Sequence, residues 1–302
     1  MSSSLVLEEL EQLDPRTNHQ RMVFLTTRFD FPFDTTRALE LALFRTFCVP
    51  SISALLHRTG EMEWFTQKRY DDTDIIISEL LDHGYDSDRG GAALRRMNQI
   101  HRRFKIANDD FLYVLSTFIY EPIRFNQRFG WRRLTGAEKF AMFYFWCEVG
   151  RRMGIKDIPE DYETYETYNV TYELEHFRFS EANRHVGTAT REMFASWFPA
   201  PLRPLVRGAI HVLLDERTRK AFGFPDPHPL MQRAVLSAMA ARARVISWLP
   251  RRRRPLLRTQ LRQRSYPHGY RIEEIGPSYM QPTGAAKKTS ATAVGGESTT
   301  ST

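Results

Sequence analysis

The chain has 302 residues, a formal charge of +7 and 42% hydrophobic residues, including 21 Phe, 12 Tyr and 5 Trp, enough apolar material for one sizeable core and a chamber within it. Its only cysteines, Cys48 and Cys147, exclude a disulfide framework and fit a reducing compartment. No stretch of 18 apolar residues occurs and MSSSLVLEELEQLD is acidic, so neither a spanning helix nor a signal peptide is expected and membrane contact should be peripheral.

Residues 1–20 read as a polar N-terminal segment in which LVLEELEQL has the pattern of a short helix, 21–275 as a single all-α domain, and 276–302 as a disordered tail ending in GGESTTST. In TTRALELALFRTF apolar residues recur at helical spacing behind Thr35, a capping type, and Pro50 restarts the path. PSISALLHRTG closes at Gly60 and TDIIISELLDHG at Gly84, the residue best suited to a left-handed helix end. The three isoleucines would also suit a strand, but the longer period favours helix.

After GYDSDRGG, the spacing predicts one helix of 28 residues from Ala92 to Ile119, bent near NDD and terminated by Pro122. Thr135 followed by Glu138 is a capping-box signature ahead of EKFAMFYFWCEVGRRMG, whose aromatic residues lie on nearly every side and predict a central helix. A polar-aromatic helix should start near Asp161 and run through Thr190, with further helices in REMFASWF, LVRGAIHVLLDERTRKAFG and LMQRAVLSAMAARARVISWL. Arg251 to Arg254, Arg258, Arg262 and Arg264 then form a basic cluster that reads as solvated surface or a lipid-facing patch. A nucleic-acid partner is not expected, because no zinc-finger spacing or RNP-like strand accompanies the charge.

His101, in RMNQIHRRFKIANDDF, shares a helical face with Leu94, Met97, Phe104, Lys105 and Asn108. An imidazole in such company is a satisfied core histidine, an acid–base group or the axial ligand of a planar metal cofactor, and the pattern leaves all three open. A di-iron bundle needs two Glu-x-x-His elements, and only Glu173-Leu-Glu-His176 is present. A non-haem facial triad from His176, His185 and Glu181 is a further arrangement. Arg69 and Thr73, four apart in KRYDDTD, fall on one side of a helical turn. They either point together into a cavity, as hydrogen-bond donors and a proton-steering hydroxyl, or belong to a helix-start network with Asp71, Asp72 and Arg102.

LELALFRTFCVPSISALLHRTGE, KRYDDTDIIISELL, RMNQIHRRFKIANDDFLYVLSTF, WRRLTGAEKFAMFYFW, GRRMGIKDIP and EANRHVGTAT resemble the endoplasmic-reticulum-bound mpaB-like oxygenases of fungal secondary metabolism. These belong to a wider group with the rubber oxygenase called latex clearing protein. The resemblance implies an all-α, globin-like multi-helix fold that binds haem b and its iron, and uses dioxygen to cleave C=C bonds of an isoprenoid or related apolar, unsaturated small molecule or lipid. It further implies His101 as the iron ligand, Arg69 and Thr73 as the distal catalytic pair, and Glu61 as an acid–base group. Phe104, Phe143 and Trp146 become cofactor or pocket walls, and Arg102 a propionate contact. The relatives' N-terminal membrane segment has no counterpart here, so the expected location is cytoplasmic or peripheral to the endoplasmic reticulum. Rival readings are a haem monooxygenase or peroxidase-like tailoring enzyme, and a non-catalytic haem- or lipid-binding helical protein.

Overall fold

Proline, glycine and short polar side chains mark many of the points where the helical periodicity stops. The structure, a computed structural model, describes residues 5–280. Its α-helices are α1 (Leu5–Glu11), α2 (His19–Leu25), α3 (Pro32–Thr46), α4 (Pro50–Thr59), α5 (Glu61–Trp64), α6 (Thr66–His83) and α7 (Asp88–His101). They continue as α8 (Asn108–Phe129), α9 (Gly136–Met153), α10 (Tyr162–His176), α11 (Glu181–Ser196), α12 (Arg203–Leu213), α13 (Glu216–Phe222) and α14 (Pro229–Trp248). No named strand occurs among the described residues, so the expected all-α class holds.

Prolines open α3, α4 and α14, where a missing N–H costs nothing. Ser87, Asp161, Ser180 and Asp215 each accept a backbone N–H at a helix start. The expected capping box is complete: Thr135 Oγ1 accepts from the Glu138 N–H at 3.2 Å, and the Glu138 carboxylate accepts from the Thr135 N–H at 2.8 Å. Gly60 ends α4 in the left-handed region. Gly84 also has positive φ but an extended ψ of 153°.

Four expected helix boundaries are corrected. The 28-residue helix is two: α7 stops at His101, a tight turn carries Arg103 N–H to the Ile100 carbonyl and Phe104 N–H to that of His101, and α8 begins at Asn108. Asn108 fixes that restart by exchanging two hydrogen bonds with the Lys156 backbone, at 3.0 and 2.9 Å. Pro122 does not terminate a helix but sits inside α8, its neighbours Glu121 and Ile123 buried; tertiary packing outweighs the local cost of the missing donor. The helix expected from Asp161 to Thr190 divides at Phe177, whose extended backbone precedes the Ser180 cap. LVRGAIHVLLDERTRKAFG divides likewise at the Asp215 cap.

α8 packs against α3, α9 and α10, and α9 against α2, so the largest apolar cluster gathers Leu115, Ile119 and Tyr120 with Phe145, Trp146 and Met22. α9 is central as expected, with Phe140 its outward-facing aromatic. A second cluster joins Phe44 and Phe47 of α3 and its C-terminal end to Val186 and Phe194 of α11. Here the N-terminal segment is not merely polar: Val6 and Leu10 of α1 are buried against the main cluster.

Residues 255–280 run as a strap over α6 and supply hydrogen-bond donors to its acidic row. Arg258 and Gln263 reach Asp74 (2.6 and 2.8 Å), the Ser265 N–H donates to Asp71 (2.7 Å), and Tyr266 and Tyr270 donate to Asp72 and Glu79 (2.5 and 2.6 Å). Asp71 and Asp72 therefore belong to this strap and not to a network with Arg69 and Arg102. Arg258 is likewise lost from the expected basic patch, as is Arg251, which lies 3.7 Å over the Trp131 ring. The segment expected to be disordered from 276 onward starts as ordered chain: the Gly276 carbonyl accepts from Lys68 Nζ at 2.6 Å. Residues 281–302 lie outside the described residues. No single described helix is long and apolar enough to cross a membrane; α3 and α4 meet that length and composition only as a pair bent by 93°.

Candidate functional site

The helices meet around a cavity of about 430 Å³, within the size range of pockets for cofactors and small ligands. Its walls come from α3 and its C-terminal end, α4, α5, α6, α7, the 102–107 turn, α8, α9 and α11, with Pro277 of the strap closing one side. Leu43, Leu55, Ile76, Met97, Val114 and Phe118 give most of it an apolar surface. A few polar groups stand out against that background.

His101 is one of them. As the last residue of α7 it turns toward the cavity, packing edge-on against Phe111 with ring centroids 5.3 Å apart. Its Nδ1 is buried with no hydrogen-bond partner. Burial first, then the positive charge of Arg69, push the imidazole down to about 4, although a helix C-terminus favours a cation. At neutral pH the ring is uncharged and carries a free lone pair, the state a metal requires.

Arg69 and Thr73 face the same cavity one turn apart on α6. The Thr73 hydroxyl donates to the Arg69 backbone carbonyl at 3.0 Å, so its proton is engaged while its oxygen can still accept. The Arg69 guanidinium has no ion-pair or hydrogen-bond partner among the described residues. Glu61 opens α5 just after the left-handed Gly60; 8% exposed, it also lines the cavity, its carboxylate unpaired among the described residues. An unpaired charge in or near an apolar interior is costly, which marks buried Glu61 and half-buried Arg69 as kept for something other than folding.

Phe104 and Trp146 stand on the cavity wall as expected of walls. Phe143 does not: at 2% exposure it packs with Tyr144, Tyr162 and Tyr165 in the core beyond. Three residues along α9 from Trp146, it lies about 60° round that helix, enough to carry its ring past the cavity into the core. Arg102 also lies off the lining, exposed at the C-terminal cap of α7. The exposed cations that do reach the lining are Arg58 and Lys105. Expectations about His176, His185 and Glu181 are corrected too. His176 stacks on Tyr172 (centroids 3.9 Å apart), Glu181 pairs with Arg184, and the two histidines sit on separate helices. Glu173, part of the sole Glu-x-x-His element, is bound by Arg45.

Tyr70 and Glu40 carry no local signature that could have singled them out. Tyr70 lines the cavity and donates to Glu40 at 2.8 Å. Behind it, a void of about 30 Å³ is bounded by Glu40, Asp74, Arg28 and Arg258, enough for one or two waters. Burial pushes the Glu40 carboxyl up to about 7, against the opposing charge of Arg37.

Compared with known proteins, residues 65–246, more than half of the chain, match the family described as ER-bound oxygenase mpaB/B'/Rubber oxygenase, catalytic domain. The chain is 29% identical to ER-bound oxygenase mpaB' of Penicillium brevicompactum over 240 residues, covering 74% of this chain and 57% of that protein. Against ER-bound oxygenase mpaB of Penicillium roqueforti (strain FM164) it is 29% identical over 214 residues, 65% of this chain and 72% of the relative. The mpaB protein of Penicillium brevicompactum gives 30% identity over 193 residues, 58% and 49% of the two chains. The chain thus spans little more than half the length of the first of these relatives.

Proposed function

The chain belongs to the family of mpaB-type and rubber oxygenases, and from that premise we propose that it is a haem b-dependent oxygenase. In this reading it acts with dioxygen on an apolar, unsaturated small molecule or lipid and opens a C=C bond of an isoprenoid or related chain. The observation that carries the reading is His101: a neutral imidazole with a buried, unpartnered nitrogen, set in the wall of an apolar cavity of about 430 Å³. That donor and those surroundings fit a large apolar ring held through one protein nitrogen.

His101 would hold the haem, with Phe104, Phe111 and Trp146 among the side chains around it. When bound, the cofactor supplies the redox chemistry that turns dioxygen on an alkene. The protein supplies the rest. Arg69, with no competing partner, directs its donors at negative charge developing on oxygen. Thr73 accepts a hydrogen bond from water and orients it, and Glu61 takes or gives a proton at its carboxylate. The Tyr70 hydroxyl and Glu40, whose carboxyl sits near about 7, form a second route for a proton through the wall. The apolar lining excludes water and receives the hydrocarbon substrate. Arg58 and Lys105 give the lining positive charge suited to carboxylates, haem propionates included. Exposed Trp248 and Leu249 followed by Arg252, Arg253 and Arg254 support reversible contact with an anionic membrane surface.

The unpaired Arg69 and Glu61 also suit a peroxidase-like reaction, and products separate the two. Haem-loaded protein supplied with an acyclic polyprenyl compound should consume dioxygen and release two carbonyl fragments, detected by an oxygen electrode and mass spectrometry. Product formed only with added peroxide, or a single inserted oxygen with the chain uncut, would favour the second reading. Absence of any oxygen uptake across unsaturated apolar compounds would refute the first.

A further inference from the structure

Just outside the cavity lining, three helices bring two imidazoles and a carboxylate together. His57 lies in the last turn of α4, Glu63 in α5 and His185 in α11, and one potential ligand atom from each lies within 4.8 Å of the other two. Gly60, at φ 67°, reverses the chain between α4 and α5 and folds Glu63 back onto His57, whose Nδ1 meets the Glu63 carboxylate. From the facing helix the His185 ring lies 4.9 Å from that of His57, centroid to centroid, tilted by 36°. His57 is half-buried, while Glu63 and His185 are exposed.

Two imidazole nitrogens and one carboxylate oxygen are the donor set of a three-ligand zinc site, with the remaining positions taken by water. Zinc–nitrogen bonds of about 2.0–2.1 Å place tetrahedral donors about 3.4 Å apart, so an ion would part the His57–Glu63 contact slightly and draw the exposed His185 ring in by about an ångström. Among divalent first-row ions such a set favours the late members, copper and zinc. We propose that His57, Glu63 and His185 bind a divalent late transition-metal ion, zinc above all, which clamps α4 and α5 to α11 beside the cavity.

The position gives the clamp a consequence. α4 and α5 contribute Leu55, Leu56, Arg58, Glu61 and Met62 to the cavity wall, and α11 contributes Thr190 and Met193. An ion bridging the two sides fixes the wall segments against each other and holds Glu61, two residues before Glu63, in the lining. With two of the three ligands exposed, oxygen chemistry on iron there would lack a water-excluding enclosure. Zinc binding at this place stands or falls independently of haem binding by His101.

The test titrates zinc chloride into the full-length, EDTA-washed protein by calorimetry, comparing the wild type with His185→Ala and Glu63→Gln. The wild type should take up one equivalent saturably at micromolar zinc, and each variant should bind about tenfold or more weakly. Saturating zinc should also raise the wild-type melting temperature by about 5 °C and leave the variants unmoved. Exposed His185 should tolerate alanine, and His185→Gln supplies the same comparison should His185→Ala unfold. No saturable zinc binding by the wild type, or equal affinity in wild type and variants, overturns the proposal.

Discussion

Two sets of buried polar groups in this molecule are treated in opposite ways. Across the framework, charge is matched with charge: Arg132 forks between Asp30 and Glu138 (2.6 and 2.7 Å), Arg45 gathers Glu121, Glu173 and Asp215, and fully buried Arg28 meets Asp82. Asp215 shows the strength of that matching, for burial opposes its ionisation, yet the charge of Arg45 and the Thr218 N–H hold its carboxyl at about 2. Around the large cavity the matching stops. Among the described residues His101, Arg69 and Glu61 line the same cavity without an ion pair, and His101 keeps a buried nitrogen unbonded. Among the described residues the framework's ion pairs close within the protein, although Arg28 Nη1 and Nη2 beside the small void lack partners, whereas the charged groups on the cavity are left for a ligand to satisfy.

The contrast breaks most visibly under substitution. Arg132→Leu strands two buried carboxylates and should cost about 3–5 kcal/mol of stability in chemical denaturation; a loss near zero would show that the framework pairs are dispensable. Arg69→Leu should do the reverse, leaving the unfolding midpoint almost unchanged and lowering turnover of haem-loaded protein by about 10²–10³. Unaltered turnover would return Arg69 to a structural role.

Acid sharpens the comparison further. His101 has a folded value of about 4 against an unfolded value of about 6.5. Between those values the unfolded chain binds a proton that the folded chain refuses, so His101 lowers stability as pH falls from about 6.5 to 4 and has no such effect above 6.5. In haem-free protein, His101→Phe should flatten that part of the stability profile by up to about 3 kcal/mol; an identical acid limb would contradict the burial of the ring. The smallest effect belongs to the surface. Arg184→Ala removes an ion pair to Glu181 whose side chains are both more than half exposed, and denaturation should shift by no more than about 0.5 kcal/mol.

Much of this was legible in the residues. Helix class, the Thr135 capping box, the Asp161 start, the Gly60 end and the long helix α14 follow from periodicity and end chemistry, which are local. His101, Arg69, Thr73, Phe104 and Trp146 could be marked from motifs and resemblance. What stayed hidden depends on contacts distant in sequence. Nothing local says that Asn108 docks on Lys156 and so splits a continuous helical pattern, or that packing on both sides keeps Pro122 inside α8. The acidic row of α6 reads as a solvated or capping network until the strap some 190 residues later covers it. Phe143 and Trp146 look alike in sequence; only the orientation of α9 sends one into the core and the other to the cavity.

The most direct test of the central claim is the haem content of purified wild-type and His101→Ala protein, measured as Soret absorbance per chain, with circular dichroism to follow the fold. The account predicts near-stoichiometric haem in the wild type and loss of most of it in a variant that stays helical. A variant that retains wild-type haem content with an unshifted Soret band would contradict it.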